Sequence, residues 1–127
     1  MFTVTSDPAR NRLYLTLAGH MEAPERKEAT KALLAEVAKL TPGFDVVTDI
    51  SALHATNEEG FRDLLRAKAT LKLKGIGHTI RVVKIPLSRI QFERVSTNAG
   101  YESEYVSSIE EADQRLDELR AGAKTGG

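Results

Sequence analysis

The sequence predicts a single α/β domain whose mixed, largely parallel sheet is flanked by helices. Segments with alternating apolar residues, typical of strands, take turns along the chain with segments whose apolar residues recur at helical spacing. The order reads β-β-α-β-α-β-α-β-α, and strands that alternate with helices require crossover connections and hence parallel pairing. The length of 127 residues fits one domain and is enough to bury a core without disulfides or metal.

The first two strands and the first helix have clear local signals. Alternation at residues 2–5 and 13–17 predicts two strands, and the turn-forming residues 7–11 join them as a hairpin. Pro24 suits the first turn of a helix, because its missing N–H needs no partner there. Thr-Pro-Gly at residues 41–43 ends this helix.

The middle of the chain predicts a strand, a helix and a strand. Residues 44–50 form an apolar run typical of a strand, and a helical pattern extends from Asn57 to Lys72. Lys68 falls in the middle of the apolar arc of this helix. It either extends past the core edge into water or serves as a functional cation. Residues 79–85 predict the fourth strand.

The last third predicts a short helix at 87–98, a strand at 101–106 and a final helix. Ser108 and Glu111 have the spacing of a capping box at the start of the final helix. We therefore expect a folded domain over residues 1–120 and a disordered tail over 121–127, where the residues are small and polar. The residues expected in the core are Leu33, Val37, Val46, Leu64, Val82 and Leu116.

Composition narrows the class of function. Lysine plus arginine and aspartate plus glutamate number 18 each, so the basic excess typical of a nucleic-acid binder is missing. Cysteine is absent, and neither a signal peptide nor a membrane-spanning run appears, so we expect a cytoplasmic protein. Among their charged residues, the segment 62–74 holds five basic against one acidic, and the segment 102–118 holds seven acidic against one basic. These segments are either solvated helix faces or a polarised surface that orients a partner.

Residues 49–61 carry the most informative pattern. Asp49-Ile50-Ser51 follows the third strand, and the quartet Asn57-Glu58-Glu59-Gly60 stands at the predicted helix start. This arrangement resembles the STAS domain family, named after sulphate transporters and anti-sigma-factor antagonists. The switch loop of that family reads Asp-Ser-Ser-Gly or Asp-Ser-Thr-Gly. Further resemblance covers nearly the whole folded chain, at residues 15–21, 75–80, 99–101 and 107–112.

The resemblance implies a switch position without its phosphoacceptor. In the family's antagonists a partner kinase phosphorylates the hydroxyl just before the glycine, and here Glu59 occupies that position with Glu58 before it. The two carboxylates either mimic the phosphorylated state or simply compensate the helix dipole. The remaining hydroxyls nearby belong to Ser51 and Thr56. Thr56 is the candidate phosphosite, although it or Asn57 would also serve as the helix N-cap.

The resemblance also implies a non-catalytic protein-interaction module of bacterial regulation or signalling. The predicted docking surface consists of Asn57, Glu58, Glu59, Gly60, Arg62 and Arg66. The implied partner is a regulatory kinase, an anti-sigma factor or another signalling protein, with a homodimer as a further arrangement. The alternative is a ligand-binding module that holds a nucleotide, lipid or other anion in the cleft beside the loop. Arg62, Arg66 and Lys68 would then contact the anion.

No pattern in the sequence predicts an enzyme. A nucleophile elbow, a P-loop and a dinucleotide-binding glycine pattern are all missing. His20 and His54 are expected near one edge of the sheet with Glu58 and Glu59, where such a cluster could bind zinc or transfer protons. His78 is a third, scattered histidine. Because the spacing of a metal site is missing, we expect no metal and no cofactor.

Overall fold

A computed structural model describes residues 1–54, 58–83 and 104–126, and it confirms the α/β class. Within those residues the elements are β1 (Phe2–Asp7), β2 (Arg12–Gly19), α1 (Ala23–Val37), β3 (Asp45–Leu53), α2 (Glu58–Leu73), β4 (Thr79–Val82), β5 (Glu104–Val106) and α3 (Ile109–Gly126). The helix predicted at 87–98 and the first residues of the predicted last strand lie outside the described residues. In the described part of the chain, no helix is long and apolar enough to cross a membrane.

The five strands lie in the sheet in their order along the chain. The predicted hairpin is confirmed, since β1 pairs antiparallel with β2 from Phe2 opposite Leu17 to Asp7 opposite Arg12. The other three pairings are parallel. Helix α1 connects β2 to its neighbour β3, and α2 connects β3 to the next strand, β4. Because both crossovers run in the same direction across the sheet and crossovers are normally right-handed, both helices lie on the same face.

Apolar residues from both faces of the sheet form the core. On one face Leu33 and Val37 of α1 and Leu71 of α2 pack against Leu13 and Val46. The opposite face is covered by α3, and its cluster consists of Val47, Ile80, Val82, Ala112 and Leu116. The core prediction is confirmed for five of its six residues, whereas Leu64 is only half-buried.

Strand β3 is longer than the sequence predicts, so Asp49-Ile50-Ser51 lies inside the strand rather than at its end. A bulge between Thr16 and Ala18 shifts the register and lets β3 continue to Leu53 opposite Gly19. The carboxylate Oδ1 of Asp49 accepts hydrogen bonds from the backbone N–H of Ser51 at 3.0 Å and from its hydroxyl at 2.6 Å. Leu53 is buried on the side of the sheet that α1 covers, and this apolar contact stabilises the last residues of β3.

Helix α3 is attached to the sheet by charged side chains. Arg12, whose side chain is 3% exposed, donates to Asp113 at 2.9 Å and to Asp117 at 3.1 Å. Burial alone would lower the pKa of Arg12, but the hydrogen bonds to Asp117 and its neighbours outweigh it and raise the pKa above its ordinary value. Burial, reinforced by the hydrogen bond to Asp113, raises the pKa of Tyr14.

A second attachment holds the far end of α3 at the start of β3. Arg120 donates to the buried carboxylate of Asp45 at 3.0 Å and to the carbonyl of Gly43 at 2.7 Å. The other oxygen of Asp45 accepts from the backbone N–H of His78 at 3.0 Å. Here the chain entering β4 passes so close that a Cβ on Gly77 would lie 2.6 Å from the Gly43 carbonyl oxygen. Only glycine fits this approach.

The capping box predicted for α3 is confirmed in one half. The hydroxyl of Ser108 accepts from the backbone N–H of Glu111 at 3.1 Å, as an N-cap should. The Glu111 carboxylate, however, accepts from the backbone N–H of Ser107 at 2.8 Å and from its hydroxyl at 2.9 Å, one residue before the expected partner. These two donors, the backbone N–H first, lower the pKa of Glu111. The helix continues to Gly126, past residue 121, from which the sequence predicts a tail.

Candidate functional site

The first turn of α2 carries the two glutamates that replace the family's hydroxyls. Helix α2 begins at Glu58, close to the predicted start, and the side chains of Glu58 and Glu59 are 82% and 69% exposed. This confirms that both carboxylates face solvent next to the end of β3. Asn57 of the predicted docking surface and the candidate phosphosite Thr56 lie outside the described residues.

Each glutamate has an arginine beside it. Arg62 donates to Glu58 at 3.0 Å, one helical turn away, and both side chains are exposed. Glu59 lies 3.5 Å from Nη2 of Arg26, which belongs to α1. The two negative charges of the helix start are therefore balanced locally by two positive ones, and the surface carries alternating charges rather than a single sign.

Arg26 is the residue of this site that the sequence analysis missed. Its side chain is 14% exposed. Nε donates to the Asp63 carboxylate at 2.7 Å, and Nη1 donates to the Met21 carbonyl at 2.7 Å. Asp63 also accepts from Arg66 at 3.2 Å. A positive charge in the first turn of a helix is unfavourable next to the positive end of the helix dipole. The position of Arg26 in the sequence therefore indicates that an acidic residue outside α1 binds it.

Gly60 differs from Glu58, Glu59, Arg62 and Arg66 of the predicted docking surface because it is buried, whereas they are exposed. It lines a cavity between α1 and α2, above β2, with a volume of about 80 Å³. Apolar side chains form most of the wall, among them Leu15, Leu17, Ala29, Leu33, Leu64 and Ala67. Arg26 and Asp63 are also part of the wall, so the cavity and the charged helix start share a boundary.

Two of the three histidines meet at this cavity. His20 and His54, expected near one edge of the sheet, both line it and are both exposed. His20 lies 3.1 Å from Glu22, and His54 follows the last residue of β3. In the described residues no three histidine, aspartate or glutamate side chains come together as metal ligands. His78 lies elsewhere, beside Asp45.

The other cations of the ligand-binding alternative lie in two different environments. Arg62 and Arg66 are exposed, with side chains 64% and 77% accessible, and neither lines the cavity. Lys68 is buried, so the expectation that its side chain extends past the core edge into water is wrong. Of the candidate hydroxyls, Ser51 is half-buried and its Oγ donates to Asp49.

Models of known protein families do not match this chain. No curated protein matches it significantly.

Proposed function

We propose that this protein is a non-catalytic protein-interaction module of bacterial signalling. It works in the cytoplasm, it resembles an anti-sigma-factor antagonist, and it lacks a phosphorylatable switch residue. Its docking surface is the start of α2, formed by Glu58, Glu59, Arg62 and Arg66 together with Asn57 and the backbone at Gly60. The partner is a regulatory kinase, an anti-sigma factor or another signalling protein. The family assignment is part of this proposal and rests on the sequence resemblance.

The exposure of Glu58 and Glu59 in the first turn of α2 is the observation that carries the proposal. Side chains that a rigid sheet places at a helix start are well suited to recognition. Glutamate at the switch position has no hydroxyl, so a kinase cannot act there. Each glutamate already has an arginine neighbour, and a partner must therefore recognise a pattern of alternating charges rather than a single anion.

The test compares partner binding with folding stability in the variant Glu58→Ser/Glu59→Ser. Both side chains are largely exposed, so the melting temperature should stay close to that of wild type, because such changes normally cost less than about 0.5 kcal/mol. Partner affinity should change, chiefly through the association rate and its salt dependence. The partner is recovered from a native lysate and then titrated as a purified protein against wild type and variant. Sedimentation of the chain alone tests for a homodimer.

A matched control replaces two exposed acidic residues on the opposite side of the sheet, Glu110→Ser/Glu118→Ser. This variant loses the same charge, so unchanged binding would assign the effect to position rather than to net charge. Equal binding of the purified partner by wild type and Glu58→Ser/Glu59→Ser would contradict the proposed surface. A loss in the control variant alone would place docking on α3.

Ligand binding is the second candidate function, and the cavity between α1 and α2 favours it. A ligand that binds only the folded protein must raise its melting temperature. A thermal-shift series with nucleotides, lipids and small anions is the corresponding test, and a series without any shift would count against this candidate.

A further inference from the structure

The size of the cavity restricts what it can hold. A water molecule needs roughly 10–15 Å³ by this measure, so the volume of about 80 Å³ has room for roughly five to eight groups of that size. Sites for nucleotides and drug-sized molecules are several times larger, at about 300–1,000 Å³. The wall is mostly apolar. The space between the helices therefore fits a short aliphatic or aromatic body.

Arg26 provides the polar contact at the edge of the cavity. Asp63 and the Met21 carbonyl use its Nε and Nη1 at 2.7 Å. Nη2 makes no hydrogen bond to any of the described residues, and Oε1 of Glu59 lies 3.5 Å from it. Glu59 is mostly exposed, and an ion pair with one solvated partner is weak. A carboxylate thus already occupies this position, but it is held loosely.

We propose that the cavity binds a small monocarboxylic acid with an apolar body of about five carbons. The body lies against Leu17, Leu33 and Leu64, and the carboxylate accepts hydrogen bonds from Nη2 of Arg26 in place of Glu59. The exchange substitutes one carboxylate for another, so the charge beside Arg26 is unchanged while Asp63 stays bound. Arginine suits this role because Nη2 stays charged while Nε and Nη1 hold their own partners, and a charge-assisted hydrogen bond is stronger than a neutral one.

Binding of such an acid would release Glu59 from Arg26 and leave its charge unpaired at the start of α2. This deepens the proposed function, because a small molecule would then change the docking surface where the family uses phosphorylation. The effect on partner binding rests on the proposed function of that surface. Binding of the acid itself does not.

The experiment is an NMR titration of the ¹⁵N-labelled full chain with hexanoate. Hexanamide, which has the same body without the charge, and acetate, which lacks the body, are the comparison compounds. Hexanoate should shift the backbone resonances of Leu17, Leu64 and Ala67 and should bind at least about tenfold more tightly than either comparison compound. This follows from the charged hydrogen bond that hexanamide cannot make and the buried carbons that acetate lacks.

Three variants separate the contributions of the side chains. Arg26→Gln should weaken hexanoate binding about tenfold or more and leave hexanamide binding nearly unchanged. Glu59→Gln should tighten hexanoate binding, because the competing internal carboxylate is gone. Lys31→Gln removes an exposed positive charge elsewhere on α1 and should have no effect. The amide spectrum of each variant verifies that it is folded, and Ala29→Leu, which fills the cavity, gives a second route to loss of binding.

Some outcomes would overturn the ligand site. These are an absence of shifts around the cavity in wild type, equal affinity for hexanoate and hexanamide, or full hexanoate affinity in Arg26→Gln. Partner affinity that stays the same in saturating hexanoate, while hexanoate still binds, would overturn only the link to the docking surface. The two proposals can therefore fail separately.

Discussion

In the ion pairs between β2 and α3, removing the arginine should destabilise the protein less than removing an aspartate. Arg12 is 3% exposed, whereas the side chains of Asp113 and Asp117 are 28% and 65% exposed. Arg12→Met keeps most of the apolar volume and leaves carboxylates that can reach water, so we expect a loss of about 1 kcal/mol. Asp113→Ala leaves the buried guanidinium with one carboxylate fewer and removes the acceptor of the Tyr14 hydroxyl. We expect this variant to lose about 3 kcal/mol, the lower end for breaking a buried pair.

Urea unfolding followed by far-ultraviolet circular dichroism measures both free energies of unfolding. The dependence of free energy on urea should be equal in the three proteins, so that the difference appears as a shift in midpoint. Asp117→Ala is the control, because its exposed carboxylate should contribute much less than that of Asp113. The reasoning is wrong if Arg12→Met proves as destabilising as Asp113→Ala. That result would mean that attraction between the charges, rather than the cost of burying an uncompensated cation, decides stability here.

Two further predictions concern the packing at the start of β4 and the behaviour at high pH. Gly77→Ala places a Cβ 2.6 Å from the backbone carbonyl oxygen of Gly43, which cannot rotate away as a side chain could. The variant should lose about 1–3 kcal/mol of unfolding free energy and melt at a lower temperature in calorimetry. A melting temperature equal to that of wild type would show that the backbone relaxes freely. The pKa of Tyr14 is higher in the folded protein than its unfolded value of 10.0. The protonated phenol therefore contributes stability that is fully present below pH 10.0 and is lost as the pH rises above that value. Tyr14→Phe should therefore lose less stability than wild type over that alkaline range, and parallel losses in urea titrations would contradict the assignment.

The elements that the sequence predicts correctly are those with local signals. The hairpin of β1 and β2 and the start of α2 follow from alternation, turn residues and helical spacing within short windows. The end of β3 cannot be predicted from a short window, because its continuation to Leu53 depends on the bulge in its pairing with β2. The pairing of Arg26 with Asp63 cannot be predicted locally either, because α1 and α2 must pack together before the 2.7 Å contact exists. At the site, the sequence thus places the glutamates on the surface but does not place Arg26, which links Glu59 to the cavity.

The attachments of α3 also bear on the order in which the chain folds. Arg12 and Asp113 are 101 positions apart, and Asp45 and Arg120 are 75 apart. Contacts across such separations form late, because a long loop must close before they contribute anything. As ribosomes release the chain from its N-terminal side, strands β1 to β4 and their two helices can assemble while one face of the sheet still exposes Val47, Ile80 and Val82. Until α3 docks, that face leaves the nascent protein open to aggregation and to chaperone binding.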